Sequence, residues 1–138
     1  MLRWRALHPY NAVHVLRIEA PLDVARLRAA IARTLEGDGL TGLRLDAARG
    51  RYEYAGGPAP LSLALLPAGA DAQRTAEEVI ERELNAAFPP EGAFDPFRFF
   101  ALDGGGSFHL GLAYDHFIAG GDSIVVLMTD LADRYVAA

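Results

Sequence analysis

Along this chain the spacing of apolar residues switches between the period of a strand and that of a helix. The order of those switches restricts the fold more than any single residue does. "AVHVLRIEA" (residues 12–20) alternates in blocks and is rich in β-branched side chains, which predicts a strand. In "PLDVARLRAAIARTLEGDG", Val24, Leu27, Ile31 and Leu35 recur at helical spacing behind Asp23, a candidate N-cap, and Gly37 is expected to stop the run. "LTGLRLD" and "RYEYAG" read as short strands joined by "AARG", and "LSLALLP" as a strand ended by Pro67. In "DAQRTAEEVIERELNAAF", a helix begins at Asp71. Ala76, Val79, Ile80, Leu84, Ala87 and Phe88 trace one face that only Glu83 interrupts, and Pro89 and Pro90 are expected to end it. "PFRFFALD" and "SFHLGLAYD" flank "GGGS", a hairpin signature. Asp122 or Ser123 is expected to cap a last helix whose stripe is Ile124, Leu127, Met128, Leu131 and Tyr135.

The order is thus β-α-β-β-β-α-β-β-α. It predicts an α+β fold, a mixed β-sheet layered with about three helices. Crossover helices link the first strand to its successors, and the glycine turn makes at least one antiparallel hairpin. A chain of 138 residues is expected to form one domain, 1–138, large enough to bury a core. Apolar residues make up 51% and charged residues 22%, a balance that argues against disorder. The net charge of −5, with no basic run, argues against a nucleic-acid partner. Without cysteine, neither a disulfide framework nor a thiolate metal site can form. All thirteen positive charges are arginine, which, beside the heavy Ala, Gly and Leu usage, reads as a coding bias. No apolar run approaches membrane-spanning length, and "MLRWRALHPY" lacks the apolar core of a signal peptide. The expectation is a cytoplasmic protein with no membrane partner.

Most polar candidates have ordinary readings. "DGGGS" (103–107) is no phosphate loop, because no lysine follows and a strand comes after it. His14 and His109 fall within predicted strands, His8 precedes Pro9 in a leading loop, and no two histidines form an i, i+4 pair, so no metal site is expected. Ser107 and Ser123 sit in no nucleophile-elbow pattern and read as turn and cap. His116 is different. In "YDHFIAGGDSIVVLM" (114–128) a strand delivers it to a sheet edge, Gly120 and Gly121 permit an unusual turn, and a helix N-terminus follows. A histidine there is expected to lie exposed on a concave face, where an imidazole can take a proton from an attacking amine or hydroxyl. On spacing alone the reading of His116 as a structural or merely exposed histidine is preferred, because one histidine without an orienting partner is not a catalytic constellation.

"YDHFIAGGDS" resembles the His-His-x-x-x-Asp-Gly-x-Ser signature of the condensation-domain superfamily. That superfamily includes peptide-synthetase condensation domains, chloramphenicol-acetyltransferase-like enzymes and wax-ester-type acyltransferases. "NAVHVLRIEAPLDVARLRAAIARTL" resembles the family's opening strand and first helix. "AFDPFRFFALDGGGSFHLGLAYDH" resembles its Phe-Asp segment, its Pro-x-x-Arg-like strand and the hairpin before the active-site histidine. The resemblance implies transfer of an acyl group from a thioester, on coenzyme A or on a phosphopantetheinyl carrier protein, to an amine or alcohol. These are cosubstrates, with no permanently bound cofactor. It implies His116 as the base, with Asp115, Gly120, Gly121, Asp122 and Ser123 forming the substrate-binding turn around it; Gly121 and Ser123 match the motif residues.

Two departures accompany the match. Asp115 stands at the first histidine position and Gly120 at the motif aspartate, a residue that in the family pairs with an arginine to shape the loop. The family's enzymes also have two similar lobes, and this chain resembles the first. The resemblance therefore implies a partner: a second lobe, another chain, or a second copy in a two-fold dimer. Val125, Met128 and "FDPFRFF" are expected to supply the apolar contact surface. A non-catalytic binding or assembly module that keeps the fold is the other reading.

Overall fold

The computed structural model describes residues 11–46, 48–59, 61–67 and 71–137. His8 lies outside the described residues. The elements are β1 (Asn11–Ile18), α1 (Val24–Gly37), β2 (Leu43–Asp46), β3 (Arg51–Tyr54), β4 (Leu63–Pro67), α2 (Ala72–Asn85), β5 (Gly92–Ala93), β6 (Phe97–Asp103), β7 (Phe108–Asp115) and α3 (Gly121–Ala137). This is the α+β order expected, with the two-residue β5 added.

The strands form two sheets. The larger runs β1-β7-β6-β4, with β7 antiparallel to both neighbours and β4 parallel to β6. The smaller is an antiparallel β3-β2-β5 sheet. Helix α2 is the crossover between parallel β4 and β6. Helix α1 instead leads from β1 into the smaller sheet, since β1 pairs with the last strand. Alternation along the central strands sends Phe97, Phe99, Ala101, Phe108, Leu110, Leu112 and Tyr114 to one face, where Leu27, Ile31 and Leu35 of α1 and the whole predicted stripe of α3 close the core. On the opposite face the Phe100 ring lies where a side chain on Gly111 would have to stand. Met128, Phe97, Phe99 and Phe100 are therefore core residues and not contact surface; of the apolar groups expected outside, Val125 is exposed, and Val126 beside it.

Element ends follow from local chemistry. Asp23 Oδ1 accepts from Arg26 N at 3.0 Å, and Asp71 Oδ1 from Arg74 N at 3.0 Å, so both expected N-caps are made. Helix α1 runs through Gly37. Its stop is Gly39 at φ 71°, with Gly39 N donating to Glu36 O and Leu40 N to Leu35 O, a Schellman ending. Helix α2 ends at Asn85, before the two prolines expected to stop it. There Asn11 Nδ2 and Arg98 Nη2 both donate to the Ala86 and Glu83 carbonyls, so side chains from the sheet take over the helix's last acceptors. Neither Asp122 nor Ser123 caps α3. Ile124 N donates to Gly120 O, which places both residues in the first turn.

The interruption at Glu83 has an explanation in space. Arg98 Nε lies 2.9 Å from Glu83 Oε2, with both side chains mostly covered, and the guanidinium sits 4.0 Å from the centroid of the Phe88 ring. Glu83 belongs to the packed side of α2, and Leu84, expected on it, is exposed.

Candidate acyl-transfer site

Strand β7 ends at Asp115, and its last residues build the turn that follows. The Asp115 side chain is buried; its Oδ1 accepts from Phe117 N at 3.1 Å, and its carbonyl accepts from Ile118 N at 3.0 Å. These bonds fold residues 115–118 into a compact turn from one aspartate, the local competition at which Asp excels. His116 stands on that turn, half-buried, one residue past the strand and just before the N-terminus of α3.

His116 Nδ1 lies 3.0 Å from the Ala119 carbonyl oxygen. A carbonyl can only accept, so the bond sets the hydrogen on Nδ1 and makes Nε2 the ring's basic nitrogen. The ring also meets Tyr114 edge-on, with centroids 6.0 Å apart. The backbone carbonyl and the aromatic wall thus supply orientation that the sequence did not reveal.

The structure brings His14 into the same neighbourhood. Its Nε2 lies 3.0 Å from the Tyr114 hydroxyl, and its ring lies just under 4 Å from the position of a Cβ built on Gly121. Local pattern marks His14 only as a strand residue. The register His14↔Leu112, beside Ala12↔Tyr114, puts it on the same sheet face as Tyr114, a pairing between chain ends that local pattern does not reveal. His109 pairs with Arg17 at the far end of β7, and no contact links it to the turn. Gly120 is exposed, with nothing within 4 Å of an added Cβ, and Asp122 and Ser123 are exposed on the first turn of α3. Arg98, on the strand that resembles the family's arginine-bearing strand, is committed to Glu83.

A groove of about 520 Å³ opens beside this turn. Ile118, Ala119 and Gly120 line it with Ser123, Ile124, Val126 and Leu127 of α3, and Leu40, Phe97, Tyr52, Tyr54 and Asp38 complete the lining. A larger groove, of about 840 Å³, lies on the smaller sheet among Arg44, Asp46, Arg49, Arg51, Glu53 and Glu91. Its walls mix charges of both signs and include no residue of the His116 turn, whereas the smaller, mostly apolar groove is lined by Ile118 and Ala119, which lie on or next to that turn. Burial pushes the Asp95 carboxyl up to about 6, against the backbone N–H groups of Phe97 and Ser62, which favour its charged form. Burial, then the nearby Tyr52, Asp115 and Asp95, hold the Tyr54 phenol well above its ordinary range. Among the described residues no group of three or more His, Asp or Glu side chains is arranged to hold a metal ion, and no helix is long and apolar enough to cross a membrane.

No protein-family model and no curated protein matches the chain. Solved structures do. The first condensation domain of the CDA synthetase is 21% identical over 97% of this chain and 36% of its own, with a TM-score of 0.80. The starter condensation domain of the rhizomide synthetase RzmA is 21% identical over 99% of this chain and 35% of its own, at 0.81. SgcC5 from Streptomyces globisporus is 22% identical over 93% and 30%, at 0.73. The chain spans about a third of the length of these structures. At such identities the likeness is one of fold: the chain folds as one lobe of a condensation domain.

Proposed function

We propose that the chain is one lobe of a condensation-type acyltransferase that moves an acyl group from a coenzyme A or carrier-protein thioester to an amine or hydroxyl acceptor. The second lobe is supplied by another chain, by a further segment or by a second copy. The observation that carries the reading is the held imidazole, His116 Nδ1 on the carbonyl of Ala119, a residue that itself lines a mostly apolar groove. In this reading Nε2 takes the proton as the acceptor's nitrogen or oxygen attacks the thioester carbonyl carbon. The C–S bond breaks, and the departing thiolate receives that proton and leaves as a thiol. A variant of the RzmA starter domain solved in complex with C8-CoA supports a coenzyme A ligand for this fold.

Thiol release from acyl-CoA and from acyl-carrier protein, with amine and alcohol acceptors, tests the reading in the assembled protein that contains this chain. His116→Ala is expected to lower turnover about a hundredfold, the scale of losing a general base. Unchanged turnover sinks it. A second reading, a lobe that binds thioesters without turning them over, is favoured by Gly120. An open glycine replaces the motif aspartate, and Arg98 is engaged elsewhere. Tight binding of acyl thioesters with no thiol release would select it.

A further inference from the structure

The loop that carries His116 runs between Tyr114, next to last in β7, and Gly121, first in α3. His14 stands beside both ends. Its Nε2 lies 3.0 Å from the Tyr114 hydroxyl, and the same nitrogen lies 3.9 Å from the position of a Cβ built on Gly121. Tyr114 is buried in the core, and burial raises its phenol above the ordinary value, so the hydroxyl keeps its proton at neutral pH. Packing alone does not call for this polar pair. A phenylalanine beside an apolar residue would fill the same space, and exchanging both partners of a hydrogen bond for apolar groups is often near neutral. The three rings form a series. His14 and Tyr114 have centroids 5.5 Å apart, and Tyr114 meets His116 edge-on at 6.0 Å with the planes 88° apart. The Ala119 carbonyl fixes one direction of the His116 plane through Nδ1, and one hydrogen bond leaves the tilt about its own axis open. The Tyr114 ring bears on that tilt.

Resting on the acyl-transfer reading, we infer that His14 is a positioning residue for His116: by holding the Tyr114 hydroxyl it fixes the aromatic wall that sets the direction in which His116 Nε2 meets the acceptor. His14 itself exchanges no proton with the substrate. Its contribution is the geometry of a base on a loop, supplied from a strand 100 residues away in the chain.

The test compares wild type with His14→Leu, Tyr114→Phe, the double variant and His14→Gln. Thiol release from acyl-CoA and from acyl-carrier protein is followed in the assembled protein, and the His116 ring by its nitrogen chemical shifts in the ¹⁵N-labelled chain. His14→Leu and Tyr114→Phe are each expected to lower kcat about tenfold at unchanged KM, the scale of a base held slightly off line, and to move the His116 ring shifts alike. The double variant should lose no more than either single change, because both break the same bond. His14→Gln, whose amide can bond the same hydroxyl, should recover most of the turnover. Tyr114→Phe deletes one oxygen and carries the test if His14→Leu does not fold. If the variants lower Tm but keep the wild-type kcat, or lower kcat with the His116 ring shifts unmoved, the positioning assignment is wrong while the acyl site stands. If the wild type releases no thiol from either donor, the acyl-transfer reading falls and this inference with it.

Discussion

At the scale of single residues, two positions show what local pattern leaves out. Gly111 sits in mid-strand, where glycine is a poor strand former, and the reason is the Phe100 ring lying against it on the neighbouring strand. Gly111→Ala is therefore expected to destabilise the fold by about 2 kcal/mol or more through overpacking. Phe100→Leu added to it should recover part of the loss in urea denaturation. Asp95 makes a different prediction. Its folded-state pKa, raised to about 6 from 3.8, means that the folded chain binds more protons than the unfolded chain between those values. Stability is fully present below about pH 4 and is lost as pH rises through about 6. Asp95→Asn keeps an oxygen for the Phe97 N–H and removes the titration. Its Tm should match wild type at pH 4 and exceed it at pH 7, and a difference independent of pH would refute the assignment. His116 could be picked out in the sequence as a histidine between strand and helix; its orientation could not, because the partner is a backbone carbonyl three residues on.

At the scale of elements, period and caps carried most of the information. The α3 stripe and both aspartate N-caps are where the sequence placed them, because each depends on residues within a turn or two. The larger errors lie where distant residues decide. Helix α2 stops four residues before Pro89 because Asn11 and Arg98 take its final carbonyls, and these donors come from strands 72 to 75 and 12 to 15 residues away in the chain. Glu83 looked like a flaw in an apolar stripe until Arg98 supplied its counter-ion. Glu83→Ala strips that partner from a mostly covered guanidinium and is expected to cost about 2 kcal/mol. Glu83→Ala/Arg98→Leu should cost less than the sum of the two single changes, a coupling that a double-mutant cycle in denaturant resolves. Tyr135 joins the two helices of the core face, since its hydroxyl donates to Pro21 O and accepts from Asp23 N.

At the scale of the whole molecule, the order of elements was legible and the number of sheets was not. Patterning specifies strands, but only register reveals that β1 pairs with β7 and that β2, β3 and β5 stand apart. Of the apolar side chains expected for a partner, Met128, Phe97, Phe99 and Phe100 are buried and Val125 is exposed, next to Val126, which lines the groove. A covering second lobe or second copy is expected to sit there, so sedimentation of the chain alone should show self-association that Val126→Asp weakens; a clean monomer in both would favour a self-sufficient binding module. Acyl transfer at this site requires that an acyl thioester reach the His116 turn. Titration of the ¹⁵N-labelled chain with octanoyl-pantetheine, read by amide and imidazole chemical shifts, measures this. The predicted result is perturbation concentrated at His116, Ile118, Ala119, Gly120 and Tyr54. Shifts confined to the charged groove around Arg44 and Arg51, or none at saturating ligand, would contradict it.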